Sequence, residues 1–325
     1  MRARLEAWLQ ERWYGGVAPG FFLRVLAGVY RVAIGLRLAL RNSFGLTPQR
    51  VGAAVVVVGN FTAGGTGKTP LILALAQHLQ AAGWQPGIVS RGHGRRASAP
   101  VRVQADTPVD DCGDEPKLLH LRSGLPVFVD ADRVAAAQRA VQSGCDLVLS
   151  DDGMQHARLH RDVEIEVLDG ERRLGNGLLL PAGPLRERPR DTGWRVLNGG
   201  EARAGEWPMR LALAEARALA GDSSRTLSTF VGRRVDAIAG IGHPQRFFAA
   251  LRSLGLDVAE HPFPDHHRYT ADDFAFRSGP LLMTEKDAVK CLSLGLSDAW
   301  VVPALAVLPP EFLAALERTL RALPR

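Results

Sequence analysis

The sequence predicts an α/β fold with parallel strands, and three observations carry that prediction. Short, largely apolar runs recur between glycine-rich turns and helical patterns, as at Val55–Val58, Pro86–Ser90 and Asp146–Asp151. Strands buried on both faces read this way. The carboxyl ends of these runs collect the polar residues: Gly64 to Thr69 after the first, Arg91 to Arg96 after the second, and Asp151-Asp152 at the end of the third. Open parallel sheets bind ligands at such ends. After a stretch rich in arginine and glycine, Arg186 to Gly205, the alternation of strand and helix starts afresh at Val235, which predicts a second, smaller α/β unit.

At 325 residues the chain has ample length for one large or two ordinary domains. Its 46% hydrophobic and 23% charged residues exclude a disordered or fibrous chain. The formal charge is +6 and the sequence pI about 9.7. Lys68, Lys117, Lys286 and Lys290 are the only lysines, so arginine carries the excess. Such a balance favours phosphate-bearing partners or an anionic membrane surface. Cys112, Cys145 and Cys291 are too few and too scattered for a disulfide framework or a zinc site, and a reducing cytoplasm is the natural compartment. Glu6 and Glu11 precede any apolar run, so no secretory signal is expected.

Taken in order, the first distinctive segment is Phe21 to Leu40. It is long enough to span a bilayer, but Arg24, Arg31 and Arg37 interrupt it and make spanning unfavourable. At about 100° per residue Arg24, Arg31, Arg37 and Arg41 share a broad sector and leave an apolar face. A helix over 21–41 lying in a membrane interface is the expectation, with Trp8, Trp13, Tyr14, Phe21 and Phe22 clustered before and at its start. A helix packed on the domain with its arginines in water is the alternative.

Val55–Val58 then form a central strand, followed by the turn Gly64-Gly65-Thr66-Gly67, Lys68-Thr69, and an apolar helix from Pro70. Strand, glycine loop and helix N-terminus in that order trap phosphate: loop N–H groups and the lysine meet its oxygens, and the hydroxyl helps to hold Mg²⁺. Proline suits the first helical turn, where no N–H is needed. The common spacing G-x-x-x-x-G-K-[ST] would place glycine at position 62, where this chain has Thr62.

The second strand, Pro86–Ser90, leads into Arg91-Gly92-His93-Gly94-Arg95-Arg96, three arginines and a histidine set among glycines that could grip phosphate. The acidic turn Asp110 to Lys117 opens a helix, with Asp114 a possible cap. Pro126 to Asp130 is a strand, and Asp132 caps the helix that Arg133 begins. Asp151-Asp152 end the apolar run from Asp146, where a carboxylate can hold Mg²⁺ beside a phosphate loop. Met154-Gln155-His156 continue that loop, Glu164 to Asp169 is a further strand, and Leu178 to Glu187 is a proline-rich loop.

Trp207 to Leu213 and the segment ending Thr229-Phe230 are expected as two linking strands. Beyond them lie the strand Val235–Ala239, the turn Gly240 to Pro244, and a helix to Leu254. The ionisable loop Pro262 to Tyr269, the charged strand end Thr284-Glu285-Lys286-Asp287 and a closing helix from Pro310 complete the chain.

Seven of these segments together closely resemble one family over nearly the whole chain: the tetraacyldisaccharide 4'-kinases of lipid A biosynthesis. They are Gly59-Asn60 with Gly64 to Pro70, Ser90 to Arg95, Gly113 to Pro116, Asp151 to His156, Leu180 to Glu187, Phe263 to His266, and Thr284 to Asp287. The family also departs from the common loop at the position of Thr62, and His93 stands where its pattern has tyrosine.

The resemblance implies a P-loop NTPase-like α/β/α core domain at 1–204. A two-stranded linker at 205–231 and a smaller α/β/α domain at 232–325 would follow. It implies ATP- and Mg²⁺-dependent transfer of the γ-phosphate to the 4'-hydroxyl of tetraacyldisaccharide 1-phosphate, forming the lipid A precursor lipid IVA. The enzyme would sit peripherally at the cytoplasmic face of the inner membrane, with no nucleic-acid partner and no protein partner evident. In that reading Thr62, Ala63, Gly64, Gly65, Thr66, Gly67, Lys68 and Thr69 bind the nucleotide, and Thr69, Asp151, Asp152 and Glu115 serve the metal. Asp114, paired as in the family with His266, is the base. Ser90, Arg91, Arg95, Arg133, Gln155 and His156 attend the phosphates or the acceptor.

Two other classes compete. A membrane-associated switch ATPase commonly carries lysine just before Gly-Gly-x-Gly-Lys-Thr, where this chain has Ala63. A ligase acting on a soluble acid would have no use for Phe21 to Leu40.

Overall fold

Four consecutive valines, Val55 to Val58, are all buried, as a strand covered on both faces requires. In the computed structural model, which describes residues 2–43 and 47–324, they lie in β1 near the centre of a sheet. The side chains of residues 2–4, 6, 7, 38 and 41–43, that of Arg41 among them, lie outside the described residues.

The elements in chain order are α1 Arg2–Tyr14, α2 Phe21–Ser43, β1 Ala54–Gly59, α3 Lys68–Ala81, β2 Pro86–Ser90, β3 Val101–Arg102, α4 Val109–Cys112, α5 Asp114–Ser123, β4 Val127–Val129, α6 Arg133–Gln142, β5 Leu147–Asp151 and β6 Val163–Asp169. There follow β7 Gly193–Asn198, β8 Glu206–Leu213, β9 Ala216–Ala218, β10 Ser224–Arg225, β11 Arg234–Ala239, α7 Pro244–Ser253, β12 Asp257–Pro262, β13 Leu281–Thr284, α8 Glu285–Cys291, β14 Ala299–Val302, β15 Ala304–Val307 and α9 Pro310–Arg321.

Among the described residues one sheet has nine strands in the order β15-β8-β7-β6-β1-β5-β2-β4-β3. Every pairing from β8 to β4 is parallel, and β15 and β3 are antiparallel edges. Side chains alternate across a strand: Val56 and Val58 pack with Leu71, Leu75 and Leu79 of α3, whereas Val55 and Val57 pack with Val134, Ala137 and Ala140 of α6. The result is an α/β/α core with the phosphate loop at the carboxyl end of its middle strand. The second sheet runs β10-β9-β14-β13-β11-β12, with β12, β11, β13 and β14 parallel.

Three expectations change. First, β7 lies within the arginine- and glycine-rich stretch read as a boundary, and its Val196 and Leu197 are buried; its apolar run is too short to stand out. Second, the segment ending Thr229-Phe230 is a 3-10 turn, Leu227–Phe230. Its two apolar residues, three apart, both enter the second core, which suits a helical turn rather than a strand.

The chain instead crosses between units after β8 and returns before β15, and these two strands pair with each other. Third, β15 and α9 leave the expected unit 232–325 and join the first sheet. Phe312, Leu316 and Leu320 make one apolar stripe that this core buries, with Phe312 edge-on to Trp194 and Trp207, each 5.6 Å away.

Helix α2 rests on the protein along one narrow seam of Leu23, Ala27, Tyr30 and Ile34, with the Tyr30 hydroxyl donating to the Arg186 carbonyl at 3.0 Å. Its other side is open: Phe21 is 84%, Phe22 72% and Val32 70% exposed. Trp13 and Tyr14 do not join that open surface. Trp13 donates to the Pro181 carbonyl at 3.0 Å, and Tyr14 lies under the Arg172 guanidinium. No described helix is long and apolar enough to cross a membrane.

Candidate active site

The phosphate loop closes on Asn198, which donates to the Thr66 carbonyl at 3.0 Å. Gly67 has φ 99°, and a Cβ there would lie 2.6 Å from the Asn198 amide nitrogen; glycine alone meets both demands. Lys68 begins α3, its Nζ 3.0 Å from Asn60 Oδ1 and 3.5 Å from Asp152 Oδ1. Thr62 is buried and braces the loop, its carbonyl accepting from Asn60 at 2.8 Å. The Ala63 N–H donates to the Pro184 carbonyl at 2.7 Å. Ala63 therefore does not offer that group to phosphate, a correction to the expected run of loop donors.

The strand ends add carboxylates. Asp151 is buried; one oxygen accepts from the Ser90 hydroxyl at 3.0 Å and the other has no hydrogen-bond partner among the described residues. Burial, then the charges of Glu115 and Asp152, raise its carboxyl to about 7 against the pull of Lys68 and Arg133. For Asp152 burial acts upward too, but Lys68 and Arg186, the latter at 2.7 Å, hold it at about 2. Asp152 also adopts φ 49°, a left-handed conformation of the kind that functional sites retain. Arg133 is buried and donates to the carbonyls of Asp130 and Asp151 at 3.0 and 3.2 Å; burial lowers its pKa to about 10, which leaves it charged at neutral pH.

No three His, Cys, Asp or Glu side chains among the described residues form a ready metal cage. Asp151, with a buried oxygen lacking a partner, Asp152 beside it, and Thr69 half-buried in the first turn of α3 nevertheless present hard oxygen donors. These suit Mg²⁺, which takes one or two carboxylates together with phosphate oxygens and waters.

From the second unit comes His266, at φ 60°, with Nδ1 2.9 and 3.2 Å from the two carboxylate oxygens of Asp114 at the start of α5. Burial would raise the Asp114 carboxyl, but the His266 hydrogen bond and the charge of Lys286 overcome it and hold the group at about 2. The same hydrogen bond raises the imidazole of His266, despite burial. Lys286, from the β13–α8 junction, stands 3.1 Å from Glu115 and 2.9 Å from Asp265. Burial acts against its charge, but Glu115, Asp265 and Asp114 raise its pKa well above the ordinary lysine range. Glu115 is thus paired with Lys286.

Other expected residues make contacts of their own. Arg95 shapes its own loop, donating to the carbonyls of Ala99 and Ser98 at 2.8 and 3.3 Å, and Arg91 is exposed. Gln155 donates to the Asn60 carbonyl at 3.2 Å and to Glu187 at 3.0 Å. His156 is half-buried, and burial followed by Arg133 lowers its pKa. Asn60, Arg186, Asn198 and Lys286 are site members that sequence reasoning did not single out, although Asn60, Arg186 and Lys286 lie inside its motifs.

Beside Gln155 and Glu187 a cavity of about 680 Å³ opens under α2, with Ile34, Met154, Leu159 and Leu179 as apolar wall and Arg31, Arg161, Arg188 and Arg190 as basic lining.

Comparison with known proteins gives concordant results. The family model described as tetraacyldisaccharide-1-P 4'-kinase matches residues 20–321. A tetraacyldisaccharide 4'-kinase from Xanthomonas euvesicatoria pv. vesicatoria is 52% identical, over 94% of this chain and 93% of that protein. One from Xylella fastidiosa strain 9a5c is 49% identical, over 95% of each. Among solved structures, the "apo" form of LpxK from Aquifex aeolicus in complex with ATP matches with a TM-score of 0.74 and 27% identity, covering 91% of this chain and 97% of that one.

Proposed function

The chain belongs to the tetraacyldisaccharide-1-P 4'-kinase family, and on that premise we propose how its site performs the transfer and where it works. It is a kinase of lipid A biosynthesis, moving the γ-phosphate of ATP to the 4'-hydroxyl of tetraacyldisaccharide 1-phosphate. Phosphoryl transfer asks a protein chiefly for positioning and charge neutralisation. Lys68 and the loop N–H groups from Gly64 onward hold the β- and γ-phosphates. Thr69 with Asp151 or Asp152 would hold Mg²⁺, which would supply charge neutralisation there. Arg186 and Arg133 set the two aspartates.

Asp114 takes the proton of the acceptor hydroxyl. The hydroxyl oxygen bonds to the γ-phosphorus as the bond to the bridging oxygen breaks and ADP leaves. His266 orients Asp114 and shares the proton. One observation carries this assignment: Asp114 and His266 pair across the two units, while Glu115, next to Asp114, lies near enough to Asp151 to raise its pKa.

The cavity under α2 suits an amphiphilic acceptor, with its apolar wall for acyl chains and its arginines for a phosphate. The exposed apolar side of α2 supports the reading of a peripheral enzyme working at the cytoplasmic face of the inner membrane. The test uses γ-labelled ATP and disaccharide 1-phosphate lipid in detergent. Label enters the lipid, and Asp114→Ala lowers kcat about 100-fold while the Kd for ATP stays within about threefold. Full turnover in that variant would remove Asp114 from the base role.

A further inference from the structure

Three loops of the second unit, at the carboxyl ends of β11, β12 and β13, meet the first unit around the phosphate loop, Asp114 and Glu115, and three of their contacts lie nearest the chemistry. The turn after β11 brings Gly242 against Gly65, so closely that a Cβ on Gly242 would lie 2.6 Å from the Gly65 nitrogen. The loop after β12 brings His266 to Asp114. The β13–α8 junction brings Lys286 to Glu115.

A single buried carboxylate joins the three. Asp287 has no exposed surface. Its Oδ2 accepts from the Gly240 N–H at 3.0 Å, in the first loop, and from the Thr284 hydroxyl at 2.6 Å, in the third. Its Oδ1 accepts from the Tyr269 hydroxyl at 3.0 Å, in the second, and Lys290 Nζ stands 3.0 Å from it. A Cβ at Gly240 would lie 2.8 Å from Asp287 Oδ1 and 2.9 Å from the Tyr269 hydroxyl, so the junction has no slack. The neighbouring Lys286 reaches across to the first unit, whereas Asp287 turns into its own.

We propose that Asp287 is a positioning residue for the phosphoryl transfer: it sets the three loops against one another so that Gly242 meets the phosphate loop and His266 meets Asp114 together. The proposal rests on the assignment of Asp114 and His266 as the proton-accepting pair. A carboxylate is needed because both oxygens receive donors. In asparagine one side becomes an NH₂: on the Oδ2 side it loses the Gly240 N–H, and on the Oδ1 side it faces the Lys290 ammonium, so neither orientation keeps every contact.

The test is a double-mutant cycle of Asp287→Asn and His266→Ala, read as kcat for lipid phosphorylation. In the parent, Asp287→Asn lowers kcat about 30-fold; in the His266→Ala background it lowers it no more than about threefold, because the His266 contact is already gone and only that of Gly242 remains to be disturbed. A merely structural role costs the same factor in both backgrounds, and that result overturns the proposal. If Asp287→Asn fails to fold, Tyr269→Phe keeps the ring and removes one donor. It lowers kcat about fivefold in the parent, and the effect vanishes in His266→Ala; equal factors again overturn it. Unaltered turnover in His266→Ala alone overturns the pair assignment itself, and the role of Asp287 falls with it.

Discussion

Burial pushes the carboxyl of Asp114 up, and the hydrogen bond from His266 is the largest of the contributions that bring it down to about 2. Replacing His266 by alanine removes that bond and leaves the burial in place. The depression from 3.8 to about 2 corresponds to about 2 kcal/mol at about 1.36 kcal/mol per unit. Because the folded-state value is the lower one, this stabilisation is fully present above about pH 4 and is lost as pH falls through about 2.

In His266→Ala the acid limb of kcat therefore moves up, with Lys286 and Lys290 still holding part of the depression, and acid unfolding begins at a higher pH. The base is also no longer oriented, so kcat at neutral pH falls about 100-fold. His266→Asn separates the two effects. Its amide nitrogen sits as many bonds from the backbone as Nδ1, and asparagine tolerates the φ of 60°. It keeps a donor toward Asp114 without a group that titrates, and recovers about tenfold of the lost rate. The assay is label transfer to lipid in detergent from pH 3 to 9, with ATP saturating. An alanine variant with turnover within about threefold of the parent and an unmoved acid limb would refute the pairing as the source of activity.

The return of α9 to the first sheet makes Phe312 a structural anchor between Trp194 and Trp207. Phe312→Ala is expected to cost about 3–5 kcal/mol and to lower the melting temperature of the first core by about 10 °C, read by differential scanning calorimetry; a change below about 2 °C would detach α9 from that core. On α2, Phe22→Ser, Val29→Ser and Val32→Ser together remove exposed apolar surface without touching the seam of Leu23, Ala27, Tyr30 and Ile34. Partition onto anionic vesicles falls about tenfold per residue; unchanged sedimentation with vesicles would refute docking through this side.

The phosphate loop, Asp151-Asp152 and the Asp132 cap were legible because each is a local event: an apolar run ends, a turn follows, and a helix begins with its donors free. Asp132 does cap α6, accepting from the Val134 N–H at 2.9 Å. Arg95 and Ala63 show the limit of that reasoning. Their positions in glycine-rich loops marked them as phosphate ligands, but a local pattern does not say which carbonyl will take a donor first, and Ser98, Ala99 and Pro184 take theirs. Likewise the apolar stripe of α9 announced a helix that needed cover, not which of two cores would cover it.

What the sequence by itself determined is therefore the donor half of the site, the α/β character of both units, and, through seven motifs taken together, the family. The resemblance implied that His266 pairs with Asp114, and the structure supplies that contact across 152 positions of chain; only the tertiary structure decided that Arg186 and Lys68 converge on Asp152 and that Asp287 gathers three loops. The physical reason is the range of the forces involved. Backbone geometry and capping act over a few residues and leave a spacing that can be read. A buried ion pair depends on how two sheets come to face each other, and many residues far from the pair decide that.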